Sequence, residues 1–392
     1  MYLNNNMNKF NVKVKINMEL FMNPTYAKIN LSNLRFNYLI IRRKTNTKVM
    51  AVVKADAYGH GMIECVKSLE SLGDKKPEYY GVALLKEAVE LRKAKVIKEP
   101  IVCFAPFDKN NLRFYIKYKI YPTITSEKQI KDLSKLKLSK KLKVHININT
   151  GMGRLGLSFT NAISEIVKLS KHGHIIIDGI YTHFATSDEK DKTFANLQFS
   201  RFKKIITILK KANIKTGVIH AANSGAILDM PETYFDMVRP GISLYGYYPS
   251  LETTESIKLK PVMSIHSKIS TVMQIKRGET IGYGRIFTAK KNMQSGTIPI
   301  GYADGLLRGL SNKIKVIIGN SYYTQVGRIS MDRISVDVSK GNVKENRKVI
   351  LLGKKGKLEI TAWDWSKILN TIPYEITCSI SKRVPRKYIG NS

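Results

Sequence analysis

The sequence predicts an α/β chain: a (β/α)8 barrel of the TIM type followed by a second, mostly β C-terminal domain. Three observations carry that prediction. From Pro24 to Tyr245, short apolar runs alternate eight times with amphipathic stretches, over roughly 220 residues, close to the length of such a barrel. After Tyr245 the texture turns to β-rich segments parted by Gly- or Asn-containing turns. Lys54, Arg154, His183, Ser224 and Arg239 all fall at or just after predicted strand ends, where a barrel places its chemistry. An open doubly wound sheet is the alternative, but no Gly-rich dinucleotide loop follows the first strand.

Residues 1–22 read as an N-terminal extension, disordered or loosely paired, with Met18 and Met22 as later start positions. From Leu31 the spacing is helical, with Ser32 placed to cap it. The apolar run at Val49 is the first strand, and Met62–Leu72 the amphipathic helix after it. Strands then alternate with helices: Tyr79–Leu84 with Lys86–Ala94, Ile101–Ala105 with Lys109–Tyr118, Ile120–Thr125 with Glu127–Leu136, and Leu142–Ile148 with Asn161–Lys171. Ile175–Tyr181 precedes the long helix Thr193–Ala212, Val218–His220 precedes a short helix at Gly225–Leu228, and Met237–Arg239 is the last barrel strand. The barrel is expected over 23–250 and the β domain over 251–392, divided near the polar stretch Pro249–Pro261. In the second domain, strands are expected at Val262–Val272, Ile314–Ile318, Tyr322–Val326, Ile334–Val338 and Val349–Leu352, with a helix at Trp363–Leu369.

Composition narrows the function. The chain has 66 basic and 30 acidic residues, a net charge of +36. The lysines are spread along presumptive helix surfaces, and no RNP, zinc-finger or arginine-rich segment accompanies them, so a nucleic-acid partner is not expected. Cys65, Cys103 and Cys378 are too few and too scattered for a disulfide framework or a zinc site. They read as reduced core residues of a cytoplasmic protein. No run approaches the ~18 apolar residues of a membrane span, and charges break up the leader as a secretory signal. No metal site is expected.

The stretch Val49–Gly61, VMAVVKADAYGHG, concentrates the chemistry. Its apolar run suits a strand buried on both faces, and Lys54 ends it. In a dry site a lysine amine loses basicity and becomes a nucleophile toward aldehydes and a usable base. The alternative is a lysine that snorkels to water. Tyr58, four residues on, is placed to hydrogen-bond an anion beside that amine.

Nine segments, in order, carry a resemblance: AVVKADAYGHG, NTGMGRLG, YTHFATSDE, HAANSGA, VRPGISLYG, GYGRIFTA, IPIGYADG, VGRISMD and IPYEITC. With them, the chain from about Pro24 to Tyr388 resembles the alanine racemases, enzymes that use pyridoxal 5'-phosphate to interconvert L- and D-alanine. The resemblance implies a homodimer, with the barrel of one subunit facing the β domain of the other and active sites shared between them. It implies that Lys54 holds pyridoxal phosphate as a Schiff base, and that Tyr58, Ser224, Gly241, Ile242 and Tyr374 bind its phosphate. Hydroxyls and backbone N–H groups suit a dianion, and late barrel loops are where such a site belongs. Ser224 could equally cap the short helix after it. Arg239 matches the arginine that donates to the pyridine nitrogen, and His183 a residue beside it. Read alone, an Arg before Pro suits a surface turn, and His183 a satisfied core histidine.

Racemisation needs a base on each face of a planar carbanion. The resemblance gives these roles to Lys54, on the D-alanine side, and Tyr283, on the L-alanine side. A tyrosine with an ordinary pKa of about 10 needs a cationic neighbour for this work. Arg154 is the matching residue, and it also orients the substrate carboxylate. Tyr302 and Met331 match residues lining the substrate pocket, with Asp332 behind them. The product, D-alanine, would feed peptidoglycan. The chain departs from the pattern at Asn147, where many members carry a carbamylated lysine that supports the arginine. Asn147 cannot carry a carbamate, so a chloride or a water near Asn147 and Arg154 is the expected replacement. Asn149 and Ser330 replace an aspartate and a cysteine of the pattern. The Tyr283–Arg154 pair argues against a related decarboxylase, and the β domain against a barrel-only carrier of the cofactor.

Overall fold

The computed structural model describes residues 24–136, 138 and 140–390; the expected leader, residues 1–22, lies outside the described residues. The chain divides into two compact units. One is Leu31–Val262, and the other joins the residues up to Asn30 to Met263–Gly390.

In the first unit, eight parallel strands lie in the order Met237–Val238, Lys48–Val52, Tyr79–Val82, Ile101–Pro106, Ile120–Ile124, Leu142–Asn149, Ile175–Tyr181 and Val218–His220. The eighth strand in sequence thus pairs with the first, as barrel closure requires. Between the seventh and eighth, Asp236 N–H donates to the Ile219 carbonyl at 3.0 Å and Arg239 N–H to the Ala222 carbonyl at 2.9 Å, so the barrel is nearly closed. Val49, Met50 and Ala51 are fully buried in succession, as a strand covered on both faces demands. Helices follow each strand at nearly the expected places, including Met62–Glu70, Leu85–Lys93, Glu127–Ser134, Ala162–Ser170 and Thr193–Lys211. The first helix, Leu31–Thr45, begins at Leu31, so Ser32 sits inside its first turn rather than at its cap.

The second unit is a ten-stranded sheet, antiparallel apart from one pair. The sequence places Tyr26–Asn30 in the barrel region of 23–250, but in the structure it is a strand of this sheet. It lies antiparallel to Met263–Lys268 and parallel to Arg386–Ile389. Its pattern of alternating burial, shared by Met263–Lys268, marks strands with one face on a core. Thr25 ties its start with a 2.6 Å hydrogen bond to the Pro299 carbonyl. The single strand expected over Val262–Val272 is two, Met263–Lys268 and Thr271–Ile275, and Met293–Ile298 and Leu358–Ile360 are strands that the pattern did not signal. Cys65 and Cys103 are buried, as expected, but Cys378 is exposed.

Candidate active site

The barrel half of the site begins where Lys48–Val52 ends. Lys54 opens a five-residue turn, and Ala55, Asp56, Ala57 and Tyr58 all take left-handed conformations, with φ of 52°, 52°, 55° and 54°. Such a turn costs about 1–2 kcal/mol per residue for side chains with a Cβ, so neighbours must hold it. The Ala57 N–H donates to the Val53 carbonyl at 2.9 Å and the Gly59 N–H to the Ala55 carbonyl at 3.0 Å. Glu87, on the next helix, accepts from the Ala55 N–H at 2.7 Å, and Asp56 accepts from the Met62 N–H at 2.8 Å. His60 Nδ1 bridges the Ala57 and Tyr58 carbonyls at 2.9 Å each. The His60 ring stacks on Tyr245, whose hydroxyl donates to the Val52 carbonyl at 3.0 Å. Tyr58 is thereby fixed relative to the strand that carries Lys54.

Opposite Tyr58 lies a second backbone feature. Ser224 starts the short helix Ser224–Asp229, but its cap is Asn223, which accepts from the Ala226 N–H at 3.1 Å. The Ser224 hydroxyl instead accepts from the Gly241 N–H at 3.0 Å and the Ser243 N–H at 3.4 Å. A Cβ at position 241 would fall 2.5 Å from the Tyr58 hydroxyl. Glycine is needed here for close approach, since its φ of −110° suits any residue. Tyr58, Ser224, Gly241 and Ile242 thus form one cradle at the C-terminal ends of the barrel strands.

Arg239, expected on its own to be a surface turn residue, is only 4 % exposed. Its Nη1 meets His220 Nδ1 at 3.0 Å; Nη2 donates to the Thr182 and Ala221 carbonyls at 2.8 and 3.0 Å and faces His183 Nδ1 at 3.3 Å. The guanidinium also lies 5.1 Å from the centre of the Tyr181 ring. Burial pushes its pKa down to about 10, which leaves it charged at neutral pH. Burial, and then the charges of Arg239, Arg154 and Lys54, hold His183 well below the usual histidine range. Three of the groups named at separate strand ends, Arg239, Arg154 and Lys54, thus bear on a fourth, His183. Tyr181 and His220 belong to the same cluster but carry no expected role. The sequence signal was a His at a strand end in HAANSGA and a Tyr before THF.

Arg154 sits exposed in the loop after Leu142–Asn149, a turn held by Asn149, which accepts from the Gly151 and Gly153 N–H groups at 3.1 and 3.0 Å. Asn147 is buried beneath this loop, its side-chain amide 3.5 Å from the Leu155 carbonyl.

In the β unit, Tyr283 stands between Gly282 and Gly284, both at positive φ (76° and 68°), and is 72 % exposed. Tyr302 and Met331 come together through their backbones: the Tyr302 N–H donates to the Ser330 carbonyl at 3.0 Å and the Ala303 N–H to the Met331 carbonyl at 3.1 Å. Asp332 pairs with Arg383 at 2.7 Å, and Arg383 also reaches Asp304 at 3.4 Å. Tyr374 lies in the first turn of the helix Pro373–Ser379, against which the Tyr302 turn docks through the Ser379 hydroxyl and the Gly305 carbonyl, 3.1 Å apart.

The family model for the N-terminal domain of alanine racemase matches residues 29–249, and that for the C-terminal domain matches residues 262–388. The chain is 42 % identical over 372 residues to an alanine racemase of Clostridium kluyveri, covering 93 % of this chain and 94 % of that protein. It is 41 % identical over 382 residues to one of Treponema denticola, covering 95 % of this chain and 100 % of that one. Among solved structures, an alanine racemase of Clostridium difficile superposes with a TM-score of 0.87 at 38 % identity, over 93 % of this chain and 96 % of the other. That of E. faecalis gives 0.88 at 32 % identity, over 94 % and 99 %. With a family model on each unit and relatives matched over nearly the whole chain, this protein belongs to the alanine racemase family.

Proposed function

We propose that this protein is a pyridoxal-phosphate-dependent alanine racemase that works by two bases, Lys54 and Tyr283. The observation that carries the reading is Arg239: a buried guanidinium which, among the described residues, pairs with neutral imidazoles and carbonyls rather than with a carboxylate. The residues present fit the cofactor. A cradle that a Cβ would fill, lined by the Tyr58 and Ser224 hydroxyls and the Gly241–Ile242 backbone, suits a phosphate. Tyr374 is a further phosphate contact. Arg239, whose guanidinium is not used up by its His220 and carbonyl contacts, would be the donor to the pyridine nitrogen. Lys54 supplies the amine for the aldehyde.

When bound, the cofactor delocalises the electron pair left at the α-carbon of alanine. Arg239 would donate to its ring nitrogen without giving up a proton, which would limit that delocalisation and favour return of a proton to the α-carbon. Lys54 takes or returns that proton on the D-alanine side, and Tyr283 on the L-alanine side. Arg154 orients the carboxylate, while Tyr302 and Met331 shape the pocket and His183 steadies Arg239. A chloride near Asn147 and Arg154 supplies the negative partner that a carbamate would provide elsewhere in the family. The working form is a homodimer in which Tyr283 of one subunit serves Lys54 of the other; the exposure of Tyr283, Tyr302 and Met331 supports this. The setting is the cytoplasm, with D-alanine passed to peptidoglycan and no nucleic-acid or membrane partner. Among the described residues no helix is long and apolar enough to cross a membrane.

The test is incubation with L-alanine in deuterium oxide, following optical rotation and α-deuterium together. Racemisation with one deuteron per inversion is expected. Inversion without solvent exchange, or full activity in a verified dilute monomer, would sink the two-base dimer.

A further inference from the structure

Behind Arg239 a line of hydrogen-bonding groups crosses the barrel interior. His220 Nε2 meets His145 Nδ1 at 3.0 Å. His145 Nε2 faces Asp178 Oδ2 at 3.5 Å, near enough for the carboxylate field to orient its proton. Asp178 also accepts from the Tyr79 hydroxyl at 2.9 Å and pairs with Lys143 at 3.0 Å. Tyr79 and Lys143 lie at the N-terminal ends of their strands, and His220 at the C-terminal end of its own. The line therefore runs from the end of the barrel away from Lys54 up to the arginine. Both histidine rings are fully buried.

The fold makes local exceptions to build this line. Along Ile175–Tyr181 the pairing register jumps from Val144↔Ile177 to His145↔Gly179, so Asp178 is a bulged residue. Bulges re-aim side chains, and this one brings a carboxylate to His145. Gly179 leaves room for the imidazole: a Cβ there would lie 2.5 Å from His145 Cε1. Gly217, at φ +61°, passes so close to the Asp178 backbone that no Cβ fits. Tyr181 stacks on His220 at 4.9 Å and fixes its ring plane.

The line has one direction. A guanidinium only donates, so His220 Nδ1 must accept from Arg239, and its proton sits on Nε2. That N–H donates to His145 Nδ1, which places the His145 proton on Nε2, facing Asp178. Burial, with the nearby Arg239 charge, holds His220 well below the usual range, and burial lowers His145 too, so each ring is neutral and carries one N–H. Burial would raise the Asp178 carboxyl, but the facing His145 imidazole, with Lys143 and the Tyr79 hydroxyl, outweighs it and holds it at about 2.

We propose that Asp178 is a positioning residue for Arg239, setting through His145 and His220 which nitrogen of each ring holds the proton. The inference rests on the racemase reading for its effect on rate, though not for the proton arrangement itself. Asp178→Asn is the informative change. Lys143 also only donates, so the amide oxygen turns to Lys143 and the amide N–H to His145 Nε2, which must then accept. Both tautomers invert, and His220 Nδ1 presents an N–H to the guanidinium.

The experiment is 15N spectroscopy of histidine-labelled protein without cofactor, on the native chain, Asp178→Asn and Lys143→Met. The native rings should both be Nε2–H tautomers, and Lys143→Met should keep them so, because the carboxylate remains. Asp178→Asn should shift them to Nδ1–H. In the loaded enzyme kcat should fall roughly tenfold or more in Asp178→Asn, with KM for alanine little changed, the scale typical of partners that orient a site group. A native His220 protonated on Nδ1, or tautomers unmoved in Asp178→Asn, overturns the proposal. So does an inverted pair with unchanged kcat. Should Asp178→Asn fail to fold, the native and Lys143→Met spectra decide it, since loss of the Nε2–H form in either overturns the assignment. Failure of the racemase reading would leave the spectra as expected and show instead as absent racemisation in the native protein.

Discussion

The two units carry their candidate residues in opposite ways. In the barrel, Tyr58, Ser224 and Arg239 are buried and hydrogen-bonded to neighbouring backbone groups or polar side chains, whereas in the β unit Tyr283, Tyr302 and Met331 are 72 %, 42 % and 51 % exposed. The barrel half is set by its own packing: a left-handed turn locked by Glu87, Asp56 and His60, and an arginine held on four acceptors. The β half is set largely at the backbone, through paired turns and flanking glycines, and leaves the Tyr283, Tyr302 and Met331 side chains open. A buried polar group must find its partners within the chain. An exposed aromatic has no such obligation, so its role depends on what packs against it.

The largest expected effect breaks the comparison at its two reactive ends. Lys54→Ala should lower racemisation by about 10^4-fold or more and remove the cofactor absorbance, because nucleophile and base are lost together. Tyr283→Phe should lower it by about 10^2–10^4-fold and leave the absorbance intact. In deuterium oxide Tyr283→Phe should still exchange the α-hydrogen of D-alanine, through Lys54. Loss of exchange from both enantiomers in that variant would show that the two bases do not act on separate faces.

Stability should divide the units next. Arg239→Met strands His220 Nδ1 and the Thr182 and Ala221 carbonyls in the interior, and should destabilise the chain by about 3 kcal/mol in denaturant titrations. Tyr283→Phe, on an open face, should stay within about 0.5 kcal/mol. Equal losses would mean that Tyr283 is as embedded as Arg239.

Acid sharpens the contrast further. His183 and His220 are held well below the ordinary value of 6.5, and His145 below it, by burial first. Below pH 6.5 the unfolded chain binds protons that these folded sites refuse. Stability is therefore unaffected by them at higher pH and falls as pH drops from 6.5 toward their folded pKa values. The slope is up to about 1.4 kcal/mol per pH unit for each. In the β unit burial lowers His266 to about 4, a single site of the same sign. Hydrogen exchange corrected for intrinsic rates should show the barrel losing more protection than the β unit between pH 7 and pH 5. Equal loss in both would place the acid-sensitive groups elsewhere.

How legible each unit is in the sequence follows from the same difference. Strands buried on both faces are apolar runs, so VMAV and IIIDGIY announce themselves to within a residue or two. Strands with one buried face alternate, and short ones carry too little signal. MQSGTI holds only Met293 and Ile298 as large apolar residues, and a Cβ at Gly296 would press on Ile269 and Val338, so the pattern gives no strand there. Tyr26–Asn30 is a strand because two distant segments pair with it. The motif residues were legible one by one, and the resemblance gave the roles proposed for them. Their geometry was not. Nothing in KADAY prefers four successive left-handed residues, and Glu87, which holds that turn, sits in an expected helix with nothing to mark its role. Arg239 misleads when read alone, because its acceptors are backbone carbonyls and rings on other strands.

Two glycines give the finest test of the contrast, since each is constrained by a different cause. Gly241 has an ordinary φ of −110°, and what forbids a side chain there is the Tyr58 hydroxyl. Gly284 has room, since a Cβ would meet the Arg328 guanidinium at an ordinary 3.4 Å, but its φ of 68° is strained for any other residue. Gly241→Ala should therefore push Tyr58 aside and weaken pyridoxal phosphate binding by roughly tenfold, about 1.4 kcal/mol, read by titrating cofactor into the apoprotein. Gly284→Ala should cost about 1 kcal/mol of stability in the β unit and leave cofactor affinity as it was. If Gly241→Ala instead destabilised the chain without touching cofactor affinity, the Tyr58–Ser224–Gly241 cradle would be packing alone. A cofactor defect in Gly284→Ala would mean that the Tyr283 turn reports to the barrel site even before substrate binds.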